Sequence, residues 1–409
     1  MRYKKNVISL ISGAAAAQAI PVLISPLLTR LYSPRDFGSL ALYLSICAVL
    51  SVFAAGRYDL ALIEPAQDSE ARGLLFAGLW LSVIFSLCLS IILALTAPYL
   101  IQLIGSADGM IWLNLVPITV FSLSCSSLFS YWLNRCKNYK GMNIFRIINS
   151  LGIAGLSLGF AFTEFKPQGL ILGYMLGQLL TVAYLWIAYV QYEKNKIRDS
   201  MLMVMREYFR YPKFLIPSTL AGALASESPI VLLTKFFDAT VSGLFSFANR
   251  VTVSPMTIIG NSIGEVYRVN AAENYQKYGE CRQIFLRHVR ILAVAGFIPW
   301  FVLFFWGPAL FAFIFGPQWS EAGEMARTLS FVVWFQLVST PLSYTITFNR
   351  SQHLDLYLQI FRVMGSIGSV FVGYVHKDYM LAVQFYSVTY CLYYFCHSVI
   401  QYRAAKGAL

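Results

Sequence analysis

Apolar runs of about 20 residues recur along this chain, separated by short polar connections. Hydrocarbon offers the backbone no water, so each run must satisfy its own amides as a helix. Outer-membrane strands would alternate polar and apolar residues, and no stretch here does so. The pattern predicts twelve spans, at 7–31, 38–63, 74–97, 110–133, 143–163 and 168–190 in the first half. The second half gives 214–236, 241–264, 291–315, 325–348, 357–375 and 379–402. The first run follows Arg2, Lys4 and Lys5, as a signal peptide would, but its length suits a retained span.

The halves repeat one another. Leu27-Leu28-Thr29-Arg30-Leu31-Tyr32-Ser33-Pro34-Arg35-Asp36-Phe37-Gly38 returns as Leu232-Leu233-Thr234-Lys235-Phe236-Phe237-Asp238-Ala239-Thr240-Val241-Ser242-Gly243, at an offset of 205 in 409 residues. Identity at Leu-Leu-Thr and Gly comes with like-for-like changes at the basic and aromatic positions. A half-length offset reads as internal duplication. Six spans per half return the chain to the same side, so the halves have parallel topology. The expected fold class is an all-α integral membrane protein of twelve transmembrane helices, in two pseudo-symmetric six-helix lobes. The lobes are 1–190 and 214–409, with a cytoplasmic interfacial linker at 191–213.

Composition agrees: 58% of residues are hydrophobic, 12% are charged and mean hydropathy is +0.62. The net charge of +12 is scattered between apolar runs, which excludes a nucleic-acid-binding domain and reports topology instead. With a cytoplasmic amino terminus, the inner segments hold 23 of the 31 Lys and Arg, counting Arg350 and Arg362, and the outer loops hold six. Both termini are therefore expected inside. The connections at 191–213 and 265–290 mix basic and apolar residues and read as interfacial helices. The seven cysteines show no CxxC pair and are expected in the core. Aromatics near span ends, among them Trp132, Tyr139, Trp319, Tyr374 and Tyr379, are expected in interface belts.

Ionisable groups inside spans are costly and mark candidate function. Glu227 lies mid-span in Ala225-Ser226-Glu227-Ser228-Pro229, and Arg250 follows Asn249 in the next span. Two readings are open. Arg250 receives an anionic group while Glu227 carries a coupling proton or cation, or the two pair to hold their helices together. Arg57 and Asp59 sit near the inner end of the second span, where residues two apart on a helix do not share a face and need different partners. Snorkelling and helix-end pairing compete there with a bidentate phosphate contact by Arg57. Pro21, Pro26, Pro217, Pro229 and Pro255 fall in spans 1, 7 and 8, and suggest that these bend or line a cavity, where Gln18, Asn249 and Asn261 add neutral polar groups. The four histidines are isolated, and no trio of nucleophile, base and orienter and no metal motif appears, so no enzyme site and no cofactor is expected.

These residues resemble a family: the polysaccharide flippases, including the Wzx-type O-antigen flippases, of the multidrug/oligosaccharidyl-lipid/polysaccharide exporter superfamily. The resemblance is carried by the Leu28 to Gly38 segment, by Arg57-Tyr58-Asp59-Leu60-Ala61-Leu62-Ile63, and by Tyr208-Phe209-Arg210-Tyr211-Pro212-Lys213-Phe214 with Leu215-Ile216-Pro217. Gly243-Leu244-Phe245-Ser246-Phe247-Ala248-Asn249-Arg250 and Phe315-Gly316-Pro317-Gln318-Trp319-Ser320-Glu321-Ala322-Gly323 complete it. It implies that the two six-helix lobes stand around a central cavity, lined largely by spans 1, 2, 7 and 8, that opens alternately inward and outward. It also implies a cargo, an undecaprenyl-diphosphate-linked oligosaccharide moved to the periplasmic leaflet of the bacterial inner membrane, with coupling to a proton or sodium gradient. On this reading Arg250, Arg57, Asn249 and Gln18 meet substrate, and Glu227 and Asp59 serve coupling. Partners would be membrane lipids, a polysaccharide polymerase and a chain-length regulator, and no nucleic acid. Related lipid II flippases commonly carry two further spans. The rival readings are a cation-coupled multidrug exporter, whose cavity should favour carboxylates, and a membrane polymerase or glycosyltransferase, which needs a larger outer loop.

Overall fold

The computed structural model describes residues 2–104, 112–192, 201–348 and 352–407. Among the described residues helices cover most of the expected spans, but 38–63 is broken after Ala54, and 325–348 is divided among Ser320–Ser339, a 3₁₀ turn at Thr340–Leu342 and Tyr344–Phe348. The first half holds α1 (Arg2–Leu31), α2 (Pro34–Ala54), the four-residue α3 (Tyr58–Ala61), α4 (Asp68–Ile104), α5 (Val116–Arg135), α6 (Tyr139–Phe160) and α7 (Gly169–Tyr192). After the short α8 (Met201–Glu207) come α9 (Arg210–Phe236), α10 (Ala239–Tyr278), α11 (Arg282–Phe315) and α12 (Ser320–Ser339). The chain closes with α13 (Tyr344–Phe348), α14 (Gln352–His376) and α15 (Tyr379–Ala405). Among the described residues nine helical segments are long and apolar enough to cross a bilayer, and Ala15–Leu31 is a shorter apolar helix. Helices α10 and α15 are not among the nine, because they carry Asn249, Arg250 and Asn261 in one case and a run of tyrosines with His397 and Gln401 in the other.

Contacts divide the chain into one unit of Met1–Tyr32 with Ser39–Glu227, and another of Ser33–Gly38 with Ser228–Leu409. The border falls inside α9 between Glu227 and Ser228, one residue before Pro229, which has no amide N–H for the helix. The sequence instead places its lobe border in the 191–213 connection. Of that connection, 193–200 lie outside the described residues. Met201–Glu207 forms α8, which lays Val204 into an apolar cluster with Tyr58, Leu74, Leu128 and Trp132, and leaves Leu202 and Met203 exposed.

Ser33–Gly38 joins the second unit through the duplicated motif itself. A Cβ on Gly38 would collide with the Ala239 carbonyl oxygen, and one on Gly243 with the Pro34 carbonyl oxygen. Pro34 and Ala239 are equivalent at the offset of 205, as are Gly38 and Gly243, so the two copies meet reciprocally. Only glycine permits backbones this close, the small-residue packing that associates helices in lipid. Helix starts are also duplicated. Ser33 and Asp36 exchange hydrogen bonds at the head of α2, and Asp238, the equivalent of Ser33, caps α10 by accepting from the Val241 amide at 2.8 Å.

Three expectations change. The 265–290 stretch is no separate surface helix. α10 runs unbroken for 40 residues, about 60 Å at 1.5 Å per residue, and turns at Gly279 (φ 72°) into α11. Trp319 and Trp132 leave the interface belt for the interior. The first packs on Phe37 and Phe247 with ring centroids at 5.0 and 4.4 Å, and the second on Tyr189 at 5.8 Å, because aromatic area buried against aromatic partners outweighs a place at the headgroups. Cys47, Cys125 and Cys281 are buried as expected, whereas Cys88, Cys136 and Cys396 are exposed.

Candidate functional site

In the first unit α2 stops at Ala54, well before residue 63. Gly56 (φ 58°) and Arg57 (φ 59°) both take the left-handed conformation, and the chain restarts as α3. Arg57 and Asp59 therefore do not lie on opposite faces of one helix. The turn brings Arg57 Nη1 to 3.8 Å from Asp59 Oδ2, which overturns the expectation that the two need different partners. A non-glycine residue in this conformation costs roughly 1–2 kcal/mol. Asp59 is 3% exposed; its Oδ2 accepts from Ser127 Oγ on α5 at 2.6 Å, while its Oδ1 and the Arg57 Nε are buried without a hydrogen-bond partner.

The turn is held from several sides. Tyr58 donates its hydroxyl to the Met205 carbonyl at 3.0 Å, which ties α8 down. Arg135 donates to the carbonyls of Leu62 and Pro65 at 3.1 and 2.8 Å and to Asp68 Oδ1 at 2.8 Å. Glu64 pairs with Arg210 and accepts from the Tyr211 hydroxyl at 2.6 Å. The Arg210-Tyr211 pair, part of the stretch that carries the family resemblance, thus anchors the segment after Asp59.

Glu227 is a separate place in the same unit. Its Oε2 accepts from the fully buried Ser45 Oγ on α2 at 2.7 Å, and Ser226 Oγ stands 3.5 Å from Oε1. Ser45 lies nine residues before the end of α2, about 13 Å along the axis, so Glu227 and Asp59 are not brought together. Gln18 is exposed on α1.

In the second unit, α10 buries Phe245, Phe247, Ala248, Thr252, Gly260 and Tyr267. Arg250, Thr257 and Asn261, spaced seven and four apart, are exposed on the opposite side, and Asn249 is half-buried beside them. This spacing puts the three on one stripe of a 3.6-residue helix. A stripe of hydrogen-bonding groups inside a span belongs against water rather than lipid. Between α10 and α12 a cavity of about 90 Å³ carries Thr257, Asn261, Gln336 and Thr340 among apolar neighbours. The stripe is legible in part from the sequence, where Arg250, Asn249 and Asn261 stand out in an apolar run, but Thr257, Gln336 and Thr340 do not.

Two further groups escape the sequence. His397 is not isolated: its Nδ1 meets Ser339 Oγ at 2.7 Å and Gln401 Nε2 at 3.0 Å, in a buried network. Arg362, counted among the inner loop charges, lies within α14. The polar spacing of Gln359, Arg362, Ser366 and Ser369 is the available signal for it. Among the described residues no group of three His, Cys, Asp or Glu side chains is placed to hold a metal.

Residues 27–324 match the family described as polysaccharide biosynthesis protein. The teichuronic acid biosynthesis protein TuaB of Bacillus subtilis (strain 168) is 20% identical over 287 residues, 69% of this chain and 58% of TuaB. The succinoglycan biosynthesis transport protein ExoT of Rhizobium meliloti (strain 1021) is 19% identical over 93% of this chain and 76% of its own length. Among solved structures, the inward-facing form of a multidrug resistance MATE family transporter of the MOP superfamily superposes with a TM-score of 0.74 at 15% identity, covering 95% of both chains. The lipid II flippase MurJ, in an inward closed conformation, gives 0.66 at 12% identity over 95% of this chain and 90% of its own. These two likenesses establish the fold.

Proposed function

The chain belongs to the polysaccharide biosynthesis protein family, and on that premise we propose that it is a flippase. It moves an oligosaccharide, linked through diphosphate to undecaprenol, from the cytoplasmic to the periplasmic leaflet of the bacterial inner membrane by alternating access. The observation that carries this reading is the exposed stripe of α10 headed by Arg250. A diphosphate brings negative charge and a glycan brings hydroxyls, and a guanidinium followed by Thr257 and Asn261 suits both in that order. A cavity for cationic drugs would carry a carboxylate where Arg250 stands. Asn249 and Gln18 contribute neutral contacts to the head group, and Arg57 meets its phosphates from the cytoplasmic side.

Glu227, with its carboxylate steadied by Ser45 and Ser226, takes the coupling proton or sodium ion, and the half-satisfied Asp59 is the second coupling group. The chain acts without chemistry of its own, and at the outer leaflet the unit passes to a polysaccharide polymerase and its chain-length regulator. A strain lacking this chain should lose surface polysaccharide and accumulate the lipid-linked unit on the inner leaflet. The wild-type chain should reverse both, and Arg250→Ala and Arg250→Lys should reverse neither. Full complementation by Arg250→Ala contradicts the proposal. Movement that survives Glu227→Gln without any gradient dependence removes the coupling step.

A further inference from the structure

Arg362 stands ten residues into α14, about 15 Å from its start. Its guanidinium lies over the rings of Tyr390 and Tyr393 on α15, 5.9 and 5.3 Å from their centroids. Among the described residues no carboxylate lies within ion-pair distance of it, and its Nε is buried without an acceptor. Ring faces attract the cation but accept none of its in-plane N–H groups. Gln359, one turn earlier on the same face, donates to the Tyr393 hydroxyl at 3.3 Å. Further along that face Ser366 meets Ser228 at 3.3 Å and Ser369 meets Thr389 at 3.4 Å, so protein partners cover its far end. At the near end Arg362 is only half-buried, so a cation within a span is open to an outside ligand. An ionisable group at such depth is a site whose partner has to be named.

We propose that Arg362 is an anion site that takes the oxygens of a phosphate-bearing group as a bidentate pair, with the two tyrosine rings holding the guanidinium plane in place. The group is either the head of an acidic phospholipid or the diphosphate of a lipid-linked molecule. The proposal stands apart from the role given to Arg250, and its test is run with Arg250→Ala as a second background. The full chain is purified into nanodiscs of phosphatidylcholine, and its melting temperature is followed as inorganic pyrophosphate is added or as phosphatidylglycerol replaces part of the lipid. Either addition should stabilise the wild type and the Arg250→Ala chain, and Arg362→Gln should weaken the apparent affinity by about tenfold or more. A response to pyrophosphate identifies a diphosphate head, and a response to phosphatidylglycerol alone identifies a membrane lipid. If Arg362→Gln does not fold, Arg362→Lys carries the test: it keeps the charge and loses the fork, so its response should be weaker. No response in the wild type, or equal responses in wild type and variant, overturns the site.

Discussion

Helices α2 and α10 begin at equivalent positions of a duplicated segment, Pro34 and Ala239, yet one ends after 21 residues and the other runs for 40. The cause is local. Gly56 and Arg57 turn left-handed in the first copy, whereas their counterparts Asn261 and Ser262 stay helical, and α10 is stopped only by Gly279. The break folds a carboxylate inward, Asp59 against Ser127, while the unbroken copy leaves its polar groups on an open stripe. Ser45 and Arg250 are also counterparts. The first copy uses this position for a buried hydroxyl bound to Glu227, and the second for an exposed cation. The two segments thus share their helix starts and glycine contact, and differ in the turns of helix beyond them.

The contact between the copies should be the most sensitive point. Gly38→Leu or Gly243→Leu forces a side chain into a backbone carbonyl, with an expected cost of about 3 kcal/mol, read as lost thermal stability in detergent or failure to accumulate in membranes. Near-normal stability of both variants would mean that the copies need not approach so closely. Next, the paired positions 45 and 250 should separate in function. Arg250→Ala should lower cargo movement by about 100-fold and Ser45→Ala by only about tenfold, since one removes a charged contact and the other a single hydrogen bond. Flipping assays on reconstituted vesicles decide this, and equal losses would erase the distinction between the copies.

A smaller effect should change sign between copies. At position 57 the left-handed backbone makes Arg57→Gly more stable than Arg57→Ala by about 1–2 kcal/mol. At the equivalent helical position Ser262→Gly should be less stable than Ser262→Ala by about 0.5–1 kcal/mol. Melting of the four variants tests the pair, and the same sign at both positions would contradict the break in α2.

The spans are legible because lipid imposes one solution on any long apolar run, and the duplication is legible because cap and glycine recur in register. The break at Arg57 is not. Gly-Arg-Tyr-Asp contains nothing that forbids a helix, and only tertiary partners such as Ser127, Met205 and Arg135 favour the turn. Arg250 and Asn261 can be singled out as polar residues in an apolar run, whereas Gln336 and Thr340, which line the cavity with Asn261, lie on and just past a helix distant in sequence. Arg362 is misplaced because a basic residue near an expected span end counts as a topology signal unless the polar face it shares with Gln359 and Ser366 is traced.

The central claim is that the Arg250 stripe faces water inside the membrane. In a chain with its seven cysteines replaced, single cysteines at 250, 257 and 261 and at the buried positions 248, 252 and 260 are exposed to a membrane-impermeant thiol reagent, which reacts only with hydrated thiolate. A wet stripe predicts rapid labelling of the first three and little of the others. Stripe positions that label no faster than the buried ones would place α10 against lipid or protein and contradict it.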